Sequence, residues 1–406
     1  MSWRAANWQP GASGPLTGLR VLDLSRLVAG NMTSLQLADF GADVLKVEPA
    51  PAGDPLRAWK QEGVSTFWKI YGRNKRSIAL DFRAEGAADV LARLIVAADV
   101  MIENFRPGTL ERMGLSPEAL LARKPELIVL ISISGFGQTG PYARRPGFGT
   151  LIEGMSGFAA RNGEAGGAPL LPPLALADMI AGLYGANAVS MALRHRDAGH
   201  GGQVIDLSLL DAMTSVLGPE PLDYRLTGKP KPRVGNGSNT SSPRNAYQTE
   251  DGAWIAVSGS MQSMAERLFR AIGRAAMIDD PRYRTNSDRV AHRAEVDAAV
   301  GAWFAARSKA EAMEVLTRAE VTAAPLYEVS DICTDPHFID RGVFLDLPDE
   351  EIGTTTQHAP IPRLSASPAS LRKPAPALGQ DTDAALAAAG FDAAAIADLR
   401  RKGIVA

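Results

Sequence analysis

The segment Leu171–Leu193, LPPLALADMIAGLYGANAVSMAL, constrains this chain more than any other. It is almost wholly apolar or small, and Asp178 is its only formally charged residue. Pro172 and Pro173 suit the first turn of a helix, where a missing N–H costs nothing. From Leu174 onward the run is long enough for several helical turns. Ala175, Ala177, Ala181, Gly182, Gly185, Ala186 and Ala188 leave its surface nearly bald, so another backbone or a ligand can come close. Asp178 falls in the first turns, near the positive end of the helix dipole, which favours the ionised carboxylate. By position alone it reads as a side chain that complements a helix end. Other features of the chain have to promote it.

A chain of 406 residues can bury a large core, and its length suggests two or three domains. The formal net charge of -2 gives no basic surplus for nucleic acid or an anionic membrane. Hydrophobic residues at 46% and charged residues at 22% are those of an ordinary globular protein. The single cysteine, Cys333, excludes a disulfide framework and fits a reducing cytoplasm. The opening MSWRAANWQPGASGP reads as a loose leader, without the apolar core of a signal peptide. No apolar run is expected to span a membrane, because Asp178 and Asn187 interrupt the longest one.

Periodicity predicts a strand at Gly18–Ser25, a helix at Asn31–Gly41 and a strand at Val44–Glu48. The pattern recurs as strand Arg76–Phe82, helix Ala84–Ala98 and strand Val100–Glu103. Helical turns follow at Thr109–Met113 and Pro117–Ala122, then a β-branched strand at Leu127–Ser134. This β-α-β succession predicts a large, open, Rossmann-like α/β domain with a parallel sheet. After the Asp178 helix a strand is expected at Gln203–Leu207 and a helix at Ser208–Leu217. Leu226–Pro243 loses periodicity and reads as a linker. A strand at Trp254–Ser258 and helices near 261–272, 292–306 and 309–318 make a smaller α+β domain. One small helix is expected near Ala384–Ala389. The linker thus leads from a first, large domain into a second, smaller one.

Gly135-Phe136-Gly137-Gln138-Thr139-Gly140 spells a dinucleotide fingerprint after a strand, but Pro141 and Pro146 prevent the helix that the fingerprint needs. A nicotinamide cofactor is therefore not expected. The loop's N–H groups, with Arg144 and Arg145, can instead meet a phosphate-bearing ligand. The five histidines stand at no metal-ligand spacing, so no metal is expected. There is neither a G-x-S-x-G elbow nor a Walker loop. The cationic residues Lys75, Arg76, Arg83, Arg106, Arg112, Arg144 and Arg145 are individually ordinary surface charge. Several of them fall near predicted strand ends, where nucleotide-like ligands bind.

Longer blocks then carry a likeness. PLTGLRVLDLSRLVAG, LQLADFGADVLKVEP, NKRSIALDF, DVMIENFRPGTLERMG, ISGFGQTGP, LALADMIAGLYGANAVSMAL, GHGGQVIDLSLLDAM and LGQDTDAAL stand in one order over nearly the whole chain. In this the chain resembles the class III CoA-transferases, the group of formyl-CoA transferase and the α-methylacyl-CoA racemases. The resemblance implies a large domain of residues 1–225 to which a C-terminal segment, 330–406, returns, with a small domain of residues 226–329 between them. It also implies an interlocked homodimer and coenzyme A as acyl-CoA co-substrate, with no permanently bound cofactor. It puts the catalytic aspartate on Asp178. It puts CoA contacts on Val28, Ala29, Leu80, Arg83, Asn104, Phe105, Arg106, Arg112 and Met113. Val28 stands where formyl-CoA transferase has a glutamine, and that enzyme's glycine-rich loop has no clear counterpart near Asn236. Both departures speak against a formyl/oxalate substrate pair. Phe148 and Gly149 stand where the racemases place a His-Asp pair, so racemisation lacks a base.

The chemistry implied is acyl-CoA:carboxylate CoA transfer, with succinyl-CoA as a donor by family analogy. An aspartate of reference pKa about 3.9 is ionised at neutral pH and can attack a thioester when partly desolvated. A mixed aspartyl anhydride and then an aspartyl-CoA thioester follow. Each thioester is exchanged for another, which accords with the missing Walker loop. The competing readings are a 2-methylacyl-CoA racemase or isomerase with Asp178 as acid/base, and a non-catalytic CoA-binding protein.

Overall fold

Short β-branched runs separated by helices build a six-stranded sheet in the computed structural model, which describes residues 3–127 and 129–406. The strands are β1 Arg20–Asp23, β2 Asp43–Pro49, β3 Lys75–Leu80, β4 Val100–Glu103, β5 Val129–Ser134 and β6 Gln203–Ser208. They lie in the order β3-β2-β1-β4-β5-β6, and every neighbouring pair is parallel. The strand predicted at Leu127–Ser134 is β5, with Ile128 outside the described residues. The order reverses between β1 and β4, so the loops leaving their C-terminal ends part and open a crevice.

Strand alternation sends successive side chains to opposite faces. Val21, Val44 and Val100 pack with helices α1 Leu27–Asp39 and α5 Leu176–His195. Leu22, Leu45 and Met101 pack with α3 Ala87–Ala97, and with Leu386 and Ile396 from the end of the chain. Three further helices matter for the site: α2 Thr66–Tyr71, α4 Gly149–Met155 and α6 Leu209–Ser215. The C-terminal segment is sewn to β3, with the Ala406 N–H on the Ala79 carbonyl at 3.1 Å and the Ser77 N–H on Asp381 at 2.8 Å. Two helices stand where one was expected, Thr382–Ala388 and Ala393–Arg401.

Contacts divide the chain into two units. The larger comprises Met1–Phe158, Leu171–Gly218 and Pro336–Ala406, and the smaller Ala159–Leu170 and Pro219–Asp335. The expected span 226–329 falls inside the smaller unit. A helix at Glu220–Thr227 overlaps the start of the expected linker, and Arg161 pairs with Glu220 at its first residue. A three-stranded antiparallel sheet, with Trp254–Ser258 between Arg244–Gln248 and Ala323–Pro325, packs on three helices. Ile255, Val257, Leu268, Phe269, Val300 and Phe304 fill its core.

Helix α5 corrects two expectations. It begins at Leu176, after a turn at Ala175, and not at the prolines. A tertiary contact fixes the start: the orphan N–H of Ala177 donates to Glu153 Oε1 at 3.1 Å. By length and composition alone, Leu176–His200 does reach the measure of a membrane span, despite Asp178 and Asn187. Within the larger unit one side of it packs most heavily against α1 and also against α6 and β5, while Leu183, Tyr184 and Met191 stay exposed. The bald stripe allows that packing. A Cβ on Gly182 would lie 2.8 Å from the Ala29 carbonyl oxygen, and the Thr33 hydroxyl donates to the Gly182 carbonyl at 3.1 Å.

Candidate active site

The tight contact of α1 with α5 brings the N-terminal end of α1 onto Asp178. Asp178 is half-buried, and the backbone N–H groups of Asp178 itself and of Ala29 favour its ionised carboxylate. The turn leading into α1 is held from both sides. The Asn104 side chain accepts the Arg26 N–H at 2.9 Å and returns a hydrogen bond to the Arg26 carbonyl at 2.7 Å, which ties β1 to β4 across the crevice. Leu27 takes φ 62°, a left-handed conformation that costs a branched residue on the order of 1–3 kcal/mol. Asp54 holds it there, accepting the Leu27 N–H at 3.2 Å and the Asn31 side-chain amide at 2.8 Å.

Asp54 in turn belongs to a buried ionic cluster. Lys46 lies 3.2 Å from both Asp23 and Asp54, and Lys75 lies 3.6 Å from Asp23, with all four side chains fully buried. Burial pushes the Asp23 carboxyl up, but Lys46 and Lys75 outweigh it and the net shift is downward. Burial likewise presses Lys46 down, and Asp23 and Asp54 reverse it. Lys75 falls to about 8, chiefly through burial.

Asp178 opens onto a cleft of about 350 Å³ at the C-terminal ends of β1, β4 and β5. Arg26, Leu27, Ala29, Asn104, Phe105, Arg106, Arg145 and Phe148 line it, so three arginines share its wall with the Asp178 carboxylate. Arg145 lies over the Tyr142 ring at 3.7 Å, and Arg26 over Phe105 at 5.7 Å. A neighbouring cleft of about 930 Å³ shares Phe105 and Arg106 and adds Arg112, Arg144 and Glu103. Glu103 is pushed up to about 7, mainly by burial, and accepts the Phe105 N–H at 2.7 Å.

Of the residues expected at the site, Ala29, Asn104, Phe105 and Arg106 thus meet Asp178 in one cleft, and Arg112 lies in the next. Val28 is buried with Leu56, Trp68 and Tyr71. Leu80 is fully buried at the end of β3, and Met113 packs on the sheet core beside Phe105. Arg83 is exposed, in the turn after Phe82, whose ring meets Phe105 at 5.8 Å.

Three expectations about charge need correction. Lys75 and Arg76 are not free for a ligand, since Lys75 is sealed in the ionic cluster and Arg76 pairs with Asp43 at 2.6 Å. In the glycine loop, the Gly137 N–H is taken by the Ser134 hydroxyl and the Gln138 N–H by Asp206. The helix end does not keep Asp178 acidic. Burial and, second, the charge of Glu153 lift its pKa to about 6 against the N–H groups of Asp178 and Ala29. At pH 7 the carboxylate is still about tenfold more often ionised than protonated.

Helix α4 carries two site residues that periodicity did not find. A Cβ on Gly149 would fall 2.1 Å from Asp178 Oδ2, so glycine leaves the space the nucleophile candidate occupies. Glu153, one turn on, is 2% exposed. Gly149, Gly154 and Gly157 interrupt this segment, and no apolar repeat announces a helix there.

Comparison with known proteins identifies the family. The model of CoA-transferase family III matches residues 16–382. The succinyl-CoA–D-citramalate CoA-transferase of Chloroflexus aurantiacus is 36% identical over 369 residues, covering 90% of this chain and 92% of that protein. The succinate–glutarate CoA-transferase of Agrobacterium fabrum is 36% identical over 381 residues, covering 91% and 94%. Among solved structures, a CAIB/BAIF family protein from Brucella suis superimposes with a TM-score of 0.81 at 34% identity, covering 93% of this chain and 100% of that one. The chain belongs to CoA-transferase family III and is an enzyme that transfers coenzyme A.

Proposed function

We propose that this enzyme moves CoA from an acyl-CoA, with succinyl-CoA as the donor, to a second carboxylic acid through covalent intermediates on Asp178. The observation that carries the reading is the half-buried Asp178 carboxylate, ionised at neutral pH yet more basic than usual, facing a cleft walled by Arg26, Arg106 and Arg145. A carboxylate oxygen of Asp178 attacks the donor thioester carbonyl, the C–S bond breaks, and CoA leaves as thiolate. The thiolate attacks the aspartyl carbonyl of the anhydride, releasing the donor acid as carboxylate and leaving an aspartyl-CoA thioester. The acceptor carboxylate attacks that thioester and expels the thiolate, forming a second anhydride. Attack of the thiolate on the acceptor-derived carbonyl gives the new acyl-CoA and restores Asp178. Thioester is exchanged for thioester, so the cycle is nearly isoenergetic.

The N–H groups of Ala29 and Asp178 supply donors beside the reacting carboxyl, where oxyanion charge develops. CoA contacts are assigned to Ala29, Asn104, Phe105, Arg106 and Arg112 around the clefts, with Arg83 at their rim and Val28, Leu80 and Met113 through backbone or packing. A dicarboxylic acceptor suits the arginine-rich wall and accords with the acids named for the two relatives. The apolar residues Leu183, Tyr184 and Met191 are exposed on α5, which supports the homodimer. A cytoplasmic setting accords with the lone free Cys333. Gly149 disfavours a racemase, because it offers no side chain to carry a proton.

The test is substitution of the nucleophile. Asp178→Ala and Asp178→Asn are expected to abolish transfer, by at least about 10³-fold, while CoA binding persists. Hydroxylamine added to enzyme and acyl-CoA should mark Asp178 alone. Near-normal transfer by either variant would end this assignment.

A further inference from the structure

Glu153 accepts the Ala177 N–H at the start of α5 and lies close enough to Asp178 to raise its pKa. Its surroundings go further than that. Its carboxylate is buried, its Oε1 takes the Ala177 N–H at 3.1 Å, and it shares the space around Gly149 with Asp178. The point a Gly149 Cβ would occupy is 2.1 Å from Asp178 Oδ2 and 3.9 Å from Glu153 Oε1. Two carboxylates therefore crowd one residue that has no side chain to separate them.

We propose that Glu153 is a positioning residue that loads the resting Asp178 carboxylate with electrostatic repulsion, which acylation of Asp178 then relieves. The proposal rests on Asp178 being the nucleophile. In the resting enzyme the pair carries two negative charges at close range. In the anhydride and in the aspartyl-CoA thioester Asp178 is neutral, and only Glu153 keeps its charge. As the new C–O bond forms, charge moves from Asp178 onto the thioester oxygen and then onto the departing sulfur, away from Glu153. The repulsion thus raises the resting state more than the acylated one, and it makes Asp178 more basic and more nucleophilic. The pair is a carboxylate dyad in which only one member opens to the cleft.

The other groups that face Asp178 do not cancel this effect. From α1 comes the Ala29 N–H, which favours the carboxylate without neutralising it. From α2 comes Tyr71, whose hydroxyl is pushed up by burial and by Asp178 and so stays neutral. Arg26, Arg106 and Arg145 line the same cleft, but Glu153 is the charge that sets the Asp178 shift after burial.

Glu153→Gln separates charge from capping, because the amide oxygen can still accept the Ala177 N–H. The pH dependence of kcat for CoA transfer is measured for both proteins, together with the fraction of Asp178 acylated at a fixed acyl-CoA concentration. The acid-side midpoint is expected to fall by on the order of one pH unit in Glu153→Gln, and the acylated fraction to fall about tenfold. KM for acyl-CoA should stay within about twofold, since Glu153 does not reach the cleft. An unchanged midpoint with an unchanged acylated fraction would overturn the proposal. Glu153→Asp provides the second variant, keeping the charge while shortening the cap. It should retain the wild-type midpoint even where its melting temperature drops, and a midpoint displaced as in Glu153→Gln would assign the effect to capping. Asp178→Ala run in parallel separates the two ideas. Transfer by that variant would remove the nucleophile assignment itself, whereas an inert Asp178→Ala beside an unshifted Glu153→Gln would remove only the role of Glu153.

Discussion

Two sets of buried charge flank the start of α1, and they are built on opposite plans. Beneath it, Lys46 and Lys75 face Asp23 and Asp54, so every charge has a counter-charge within reach. Beyond it, Asp178 and Glu153 share one space as two carboxylates whose main relief is backbone N–H groups. The paired cluster fixes geometry, holding Leu27 in its left-handed conformation and aiming the Ala29 N–H. The unpaired carboxylates leave one group more basic than its solution value. A charge that is fully compensated is structural, and one that is not is available for chemistry.

The largest expected effect comes from breaking the paired set. Lys46→Met leaves Asp23 and Asp54 buried without their shared cation and should destabilise the fold by about 3–5 kcal/mol in denaturant titrations. A loss below about 1 kcal/mol would mean that the cluster does not depend on its pairing. Next in size is the spacing of the unpaired set. Gly149→Ala puts a methyl group where Asp178 Oδ2 lies, and a displacement of this kind should lower kcat by about 10²-fold. CoA affinity should survive, and near-normal kcat would show that Asp178 can react from another position.

The smallest effect is the most diagnostic. The folded pKa of Asp178, about 6, lies above its ordinary value of 3.8, so the folded state binds the proton more tightly than the unfolded chain. The ionised carboxylate therefore costs stability. That cost grows as pH rises from about 4 to about 6 and is complete above it. Asp178→Asn should be inactive yet more stable by about 1–2 kcal/mol at pH 7, less than the full linkage value because the side chain keeps some water contact. The gain should vanish near pH 4. A variant equally stabilised at both pH values would trace the effect to packing.

Much of the framework was legible in the residues. Val21–Leu22, Val44–Leu45 and Val100–Met101, each with one apolar side chain to either face, encode a sheet buried on both faces, and the Val100–Glu103 strand appears as predicted. The long family blocks carried Asp178 and the Asn104–Arg106 turn. The glycine-interrupted helix α4 was not legible, because glycine erases the apolar repeat that would announce it. Nor was the fate of Lys75, since a lysine at a strand start looks the same whether it meets solvent or Asp23.

The sequence by itself determined the order of the elements and the parallel sheet, because these depend on local periodicity, and its family likeness singled out Asp178 as the candidate nucleophile. Only the tertiary structure decided the state of that carboxylate. Burial, the approach of α1 over the bald face of α5, and Glu153 arriving across Gly149 are contacts between segments far apart in the chain or divided by irregular turns. A pKa is set by what surrounds a group, and a one-dimensional pattern does not contain that distance.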